Sequence, residues 1–294
     1  MRPPAVAPHR AATRRAMRAE RPKPERTIDS LQNPLVKRTR ALELDRGLRD
    51  REGLYLAWGL HLALEATASG VSLERGMVGP ALERSAEGRE VLQRLRQRDA
   101  PILRVSTRVL ESIVPGAGDQ GILLVTRRRA VRLGSVLEGR PTLILLAHGV
   151  QDPGNLGSIL RTARAFGCQA VAALEGCADP YGSRAVRAAM GAQFTLPVVC
   201  ATAGAAVASS REAGLQVIAS DPRASDPPTG LDLRAPSALM LGNEGAGLPA
   251  EVLRQAARRV RIPMRPGVES LNVHAAATAL LYETARQRGF EHLR

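Results

Sequence analysis

Two stretches decide the fold of this chain: Pro141-Thr142-Leu143-Ile144-Leu145-Leu146-Ala147, and after it Asp152-Pro153-Gly154-Asn155-Leu156-Gly157-Ser158-Ile159-Leu160-Arg161. From Leu143 to Ala147 the first is an apolar run of the kind a strand shows when both its faces are buried. The second opens a helix. Asp152 suits the N-cap and Pro153 the first helical position, while Leu156, Ile159, Leu160 and Ala163 form an apolar stripe. Outward from here the strand–helix unit repeats. Candidate strands fall at 142–147, 171–174, 195–199, 215–219, 238–241 and 260–263. Candidate helices fall at 155–166, 183–191, 203–213, 249–257 and 273–288. Strands alternating with helices predict an α/β architecture with a mostly parallel sheet covered on both faces.

Upstream the pattern is less regular. Short strands are expected at 54–56, 76–78, 102–105 and 121–125, and helices at 59–69 and 86–98, which makes a small α/β domain over 27–126. The run Arg127, Arg128, Arg129 and Arg132 reads as part of a linker over 127–140, either solvated or touching phosphate. The regular alternation then makes a second domain of 141–294. Residues 1–26 read as a basic tail, since Pro3, Pro4, Pro8, Pro22 and Pro24 argue against one continuous helix.

The 294 residues suffice for two domains, and 44% hydrophobic content is enough to build cores. Lys and Arg number 42 against 28 Asp and Glu, a net charge of +14, which favours a polyanionic partner. With 2% aromatics, RNA contact cannot rest on an array of stacking rings. Cys168, Cys177 and Cys200 show neither a disulfide framework nor zinc spacing, and the five histidines form no HxxxH pair. No metal is therefore expected, no membrane span, and a cytoplasmic location.

In parallel α/β sheets ligands bind on the loops that follow the strands. Three such loops here are dense in glycine and polar side chains. On the first, Arg161 lies off the apolar stripe, and Gly157 one turn before it could leave room for a ligand; a solvated surface arginine is the plain alternative. The second, Gly242-Asn243-Glu244-Gly245-Ala246-Gly247, is neither a dinucleotide nor a P-loop fingerprint, and its glycines fit a tight turn as well as close approach to a ligand. The third runs from Ile262-Pro263-Met264 to Ser270-Leu271-Asn272-Val273, where Ser270 or Asn272 can cap the last helix.

Together these segments resemble the three signature motifs of the SpoU branch of the SPOUT RNA ribose methyltransferases, also called the TrmH family: 152–167 meets the first, 241–248 the second, 262–273 the third. The first half is more loosely similar to the L30e-like substrate-binding domain of many such enzymes, through Asn33-Pro34-Leu35-Val36-Lys37 and Asp119-Gln120-Gly121-Ile122; Trp58-Gly59 stands where Glu-Gly is common.

The resemblance implies a C-terminal trefoil knot and a homodimer formed through the knotted domain. It implies S-adenosyl-L-methionine as cofactor, bound by Leu241, Gly242, Asn243, Gly247, Ile262, Met264 and Leu271. It implies methyl transfer to a ribose 2′-hydroxyl of RNA, with Arg161 as the candidate base or base-assisting group, Asn155 and Glu244 supporting it, and Ser270 and Asn272 orienting cofactor and ribose. A guanidinium holds its proton up to a pH above about 12, so Arg161 is expected instead to grip the adjacent phosphate and stabilise the developing alkoxide. Glu244 paired with Arg161 would fix that geometry. The L30e-like half favours large-subunit rRNA over tRNA as substrate, and the intact site residues favour an enzyme over a silent RNA-binding or ribosome-assembly protein.

Overall fold

The computed structural model describes residues 27–293, so the tail expected over 1–26 lies outside the described residues. The upstream half contains α1 (Pro34–Leu44), α2 (Arg46–Glu52), β1 (Leu54–Trp58), α3 (Leu60–Ser69), β2 (Leu73–Val78), α4 (Ala86–Gln97), β3 (Ile102–Arg104), α5 (Thr107–Ile113), α6 (Ala117–Gln120) and β4 (Ile122–Arg127). Its sheet has the order β1-β4-β2-β3, with β4 antiparallel to both neighbours and β2 parallel to β3.

Downstream follow α7 (Leu133–Glu138), β5 (Leu143–Ala147), α8 (Pro153–Ala165), β6 (Ala170–Leu174), α9 (Ser183–Ala188), β7 (Val198–Ala201), α10 (Ala203–Glu212), β8 (Gln216–Ser220), β9 (Ser237–Leu241), α11 (Ala250–Gln255), β10 (Arg258–Val260) and α12 (Val273–Gln287). The sheet order is β10-β8-β9-β5-β6-β7 and every pairing is parallel. The central strand shows why the apolar run reads as it does. Leu143, Leu145 and Ala147 join the core under α8 and α12, whereas Ile144 and Leu146 join the core under α7, α10 and α11. A strand buried on both faces has no polar position to spare. Among the described residues no helix is long and apolar enough to cross a membrane.

Several boundaries differ from expectation. The strand expected at 260–263 is β10, ending at Val260. The Arg261 N–H turns instead to the Asp226 carbonyl at 2.9 Å, and Pro263 has no N–H to give a ladder. The strand expected at 195–199 starts at Val198, because the Thr195 and Leu196 N–H groups both bond back to the Ala192 carbonyl. Helices α1, α2 and α5 were not anticipated. Asn33 caps α1 through Leu35 N and Ser106 caps α5 through Val109 N. The stretch 127–140 is not a bare linker: it contains α7, whose Leu137 is buried, and Arg128 pairs with Asp50 at 2.6 Å and lies 5.0 Å over the Tyr181 ring.

The two halves meet through packed side chains. The Tyr55 ring lies 5.0 Å from Tyr181 and 6.5 Å from Phe194, centroid to centroid. The buried Arg49 pairs with Asp179 at 2.6 Å, and Arg164 with Glu65 at 2.6 Å. Trp58 is covered by the Arg187 guanidinium, 4.2 Å from the ring centroid. At that position a tryptophan thus serves as a platform for a cation on α9.

Candidate active site

The loops after β5, β8, β9 and β10 converge at the carboxyl edge of the parallel sheet, where a doubly covered sheet opens to ligands. After β9, Asn243 and Gly247 exchange two backbone hydrogen bonds, 3.1 and 3.0 Å, and Gly247 takes a φ of +69°. The Asn243 Oδ1 accepts from Gly245 N and Ala246 N, both at 2.9 Å, while its Nδ2 donates to the Gly149 carbonyl at 2.7 Å. That last bond ties the β9 loop to the β5 loop. Gly242 is close to backbone of its own loop: a Cβ there would lie 2.4 Å from the Gly247 carbonyl carbon. The tight-turn explanation of these glycines therefore holds, and the turn they make forms one wall of a cleft.

This cleft has a volume of about 290 Å³. All seven residues singled out for the cofactor line it: Leu241, Gly242, Asn243 and Gly247 from the β9 loop, and Ile262, Met264 and Leu271 from the segment before α12. Glu244 and Ser270 line it too. Sequence reasoning missed Ser220 and Pro222 after β8, Glu269, and Val273 and Ala276 of α12. Nothing marked the start of the β8 loop, whose one glycine, Gly230, lies well beyond Pro222; Glu269 stands beside the motif and was readable. A lining that combines apolar side chains with the carboxylates Glu244 and Glu269 suits an aromatic base joined to a cationic sulfonium and ammonium.

Of the five residues proposed for chemistry, three form a chain of side-chain hydrogen bonds. The Asn155 Nδ2 donates to Glu244 Oε1, and Asn272 Nδ2 donates to Asn155 Oδ1 at 3.1 Å. Asn272 is also the cap of α12, its Oδ1 accepting from His274 N and Ala275 N. Ser270 caps nothing and remains an exposed residue of the cleft lining.

Arg161 stands apart. It is exposed on α8 in a second cleft of about 320 Å³, which it shares with Ser158, Thr162, Ala165, Phe166, His274 and Thr278. It is not paired with Glu244, whose carboxylate takes the Asn155 amide instead. The space expected over Gly157 is also absent. A Cβ at Gly157 would lie 2.3 Å from the Ala185 carbonyl and 2.7 Å from the Ala188 Cβ, so α9 fills it.

Sequence reasoning also missed His274. Its Nε2 lies 2.9 Å from Thr162 Oγ1 and 3.4 Å from Thr278 Oγ1. Burial lowers its pKa below the ordinary imidazole range, and the positive charge of Arg161 lowers it further. The folded chain therefore resists a proton that the unfolded chain accepts below about pH 6.5, and stability falls as pH drops from that value into the lowered range. The expected result is a smaller loss of Tm between about pH 7.5 and about pH 5.5 in His274→Gln than in wild type. Equal losses in both would assign the acid sensitivity elsewhere.

Comparison with known proteins gives two family matches. Residues 142–282 match the SpoU rRNA methylase family and residues 33–123 the MRM3-like substrate-binding domain. A Synechocystis protein named as an uncharacterized tRNA/rRNA methyltransferase is 34% identical over 264 residues, 89% of this chain and 94% of that one. The 23S rRNA (guanosine-2′-O-)-methyltransferase RlmB of Bordetella pertussis is 35% identical over 190 residues, 63% of this chain and 77% of RlmB. Among solved structures, the AdoMet-bound rRNA methyltransferase of Sinorhizobium meliloti superposes with a TM-score of 0.78 at 31% identity, covering 89% of this chain and 97% of that one.

Proposed function

We propose, because this chain belongs to the SpoU rRNA methylase family, that it transfers a methyl group from S-adenosylmethionine to a ribose 2′-hydroxyl of large-subunit rRNA. The observation that carries this is the joining of all three motif segments by one side-chain chain, Glu244–Asn155–Asn272, at the mouth of an apolar cleft. Residues 27–126 act as the substrate-binding domain, 127–140 join the halves, and 141–294 form the methyltransferase domain with its C-terminal trefoil knot. The protein works in the cytoplasm, and residues 1–26 add RNA affinity.

The bound cofactor supplies an electrophilic methyl group on a sulfonium. Leu241, Gly242, Asn243, Gly247, Ile262, Met264 and Leu271 hold its adenine and methionine parts. Asn155, fixed between Glu244 and Asn272, sets the shape of the cleft mouth, and Ser270 orients the incoming ribose. Arg161 binds the phosphate next to the target ribose and stabilises the alkoxide as it develops. Since Arg161 lines the second cleft rather than the first, a second copy of the chain supplies it. The face that carries Arg161 also carries Tyr282, whose ring lies 6.2 Å from Phe166 and 5.9 Å from Phe290; Tyr282 is 51% exposed. An apolar patch of this kind suits a self-complementary twofold contact.

Labelled methyl transfer to protein-free large-subunit rRNA, small-subunit rRNA and bulk tRNA tests the activity. Alkali-resistant ribose label on large-subunit rRNA is the expected result, and cofactor binding without transfer to any of the three would sink it. For the dimer, Tyr282→Glu should give a monomer by sedimentation and lose transfer while binding the cofactor. A Tyr282→Glu protein that stays dimeric would remove this face from the interface.

A further inference from the structure

Between Glu251 and Glu269 the chain carries no acidic residue but five arginines: Arg254, Arg258, Arg259, Arg261 and Arg265. All five are exposed, although they lie on and beside β10. Arg259 is partly engaged, with its Nε on the Leu253 carbonyl at 3.3 Å and Nη1 3.9 Å from the buried Asp221. The side chains of Arg254, Arg258, Arg261 and Arg265 make no ion pair among the described residues. Their placement is systematic. Past Val260, which is buried, the chain alternates: Ile262 and Met264 turn into the cofactor cleft, whereas Arg261 and Arg265 turn outward. β10 is also the edge of the parallel sheet. The segment after β10 thus forms a wall of the cleft with Ile262 and Met264 and exposes Arg261 and Arg265, while Arg258 is exposed on the edge strand itself.

An edge strand needs a charge or two to discourage pairing with another sheet. Four cations without a compensating anion, beside a fifth that reaches Asp221 only at 3.9 Å, exceed that need, and each repels the others unless a polyanion lies across them. We infer that the β10 edge and the segment after it form an RNA-backbone docking strip, which holds phosphates flanking the target nucleotide beside the mouth of the cofactor cleft. The strip rests on the methyltransferase function proposed above, and it is a separate surface from the upstream half matched as a substrate-binding domain.

The test compares the double variant Arg258→Gln/Arg261→Gln with a control, Arg211→Gln/Arg234→Gln, which removes the same charge from exposed arginines elsewhere on the chain. The probe is protein-free large-subunit rRNA, titrated across a range of salt. The strip variant should bind on the order of tenfold more weakly, and the slope of log affinity against log salt should flatten by about 1.4, roughly 0.7 for each single-strand phosphate that is no longer neutralised. The KM for RNA should rise with kcat and cofactor affinity unchanged. The control should stay close to wild type. Equal effects in both variants would reduce the strip to general charge. An unchanged slope and KM, or self-association alone, would leave the arginines as guards of the edge and overturn the inference. Failure of wild-type protein to methylate any RNA would sink the proposed activity instead, while a strip-dependent salt slope would survive it.

Discussion

Arg161→Lys should lower methyl transfer by roughly 100- to 1,000-fold at saturating cofactor and RNA, the cost of losing one preorganised donor to a developing oxyanion. Lysine keeps the positive charge but not the planar fork, so a phosphate gripped through two parallel N–H groups and an alkoxide held by the same plate cannot both be served. The exposed position of Arg161 on α8 means the substitution costs the fold little. Cofactor affinity should stay at the wild-type value, because Arg161 is not among the residues that line the cleft proposed for the cofactor. The decisive form of the experiment mixes two inactive proteins, Arg161→Ala and a Gly242→Val cleft variant. If the arginine acts across a twofold, half the dimers are mixed and each mixed dimer has one complete site, so activity should return to about a quarter of wild type. No recovery on mixing, with exchange of subunits demonstrated, would place Arg161 and the cleft it serves in the same chain. Near-normal turnover by Arg161→Lys would end the two-pronged phosphate grip.

Gly157→Ala carries the second large effect, this time on the fold. The added Cβ would meet the Ala185 carbonyl at 2.3 Å, the Ala188 Cβ at 2.7 Å and the Ala189 nitrogen at 3.0 Å. Backbone atoms supply two of these contacts and the third is itself a Cβ, so no flexible side chain can swing away. Helices α8 and α9 must separate, and overpacking of this type costs about 1–3 kcal/mol. In a chain of this size that corresponds to a fall in Tm of roughly 2–5 °C. Because α8 carries Asn155 on its first turn, cofactor affinity measured by calorimetric titration should weaken with it. Ser158→Ala, the next residue and part of the Arg161 cleft, should leave both nearly unchanged. A Tm for Gly157→Ala within experimental error of wild type would show that the helices repack without cost.

Much of the parallel sheet could be read in advance, and the reason is visible in β5, β6 and β9, where every residue is buried and the sequence is apolar nearly throughout. The cleft beside the β9 loop was legible for a related reason. Its glycines and asparagines do backbone work that few other residues can do, so their spacing carries the shape of the loop. What could not be read depends on a neighbour distant in sequence. Gly157 looks like empty space beside Arg161 until α9 is packed against it. His274 is one of five scattered histidines until α12 lies against α8. Helices α1 and α2 were invisible because arginines crowd their faces; the buried Arg49 is held by Asp179, 130 residues away, and by the Leu42 and Glu43 carbonyls. The end of β10 was misplaced since the Asp226 carbonyl, not the sheet, takes the next N–H.

The contact between the halves has a consequence for how a nucleotide is selected. Tyr55 against Tyr181 and Phe194, Arg49 on Asp179 and Trp58 beneath Arg187 seat the upstream half on α9 and the segments flanking it, and α9 in turn is keyed into α8 at Gly157. An RNA held by the upstream half, in the role proposed for it, would meet the cleft across a span that the protein dictates, much as a caliper fixes the gap between its jaws. Such an instrument gauges how far a ribose lies from a folded landmark.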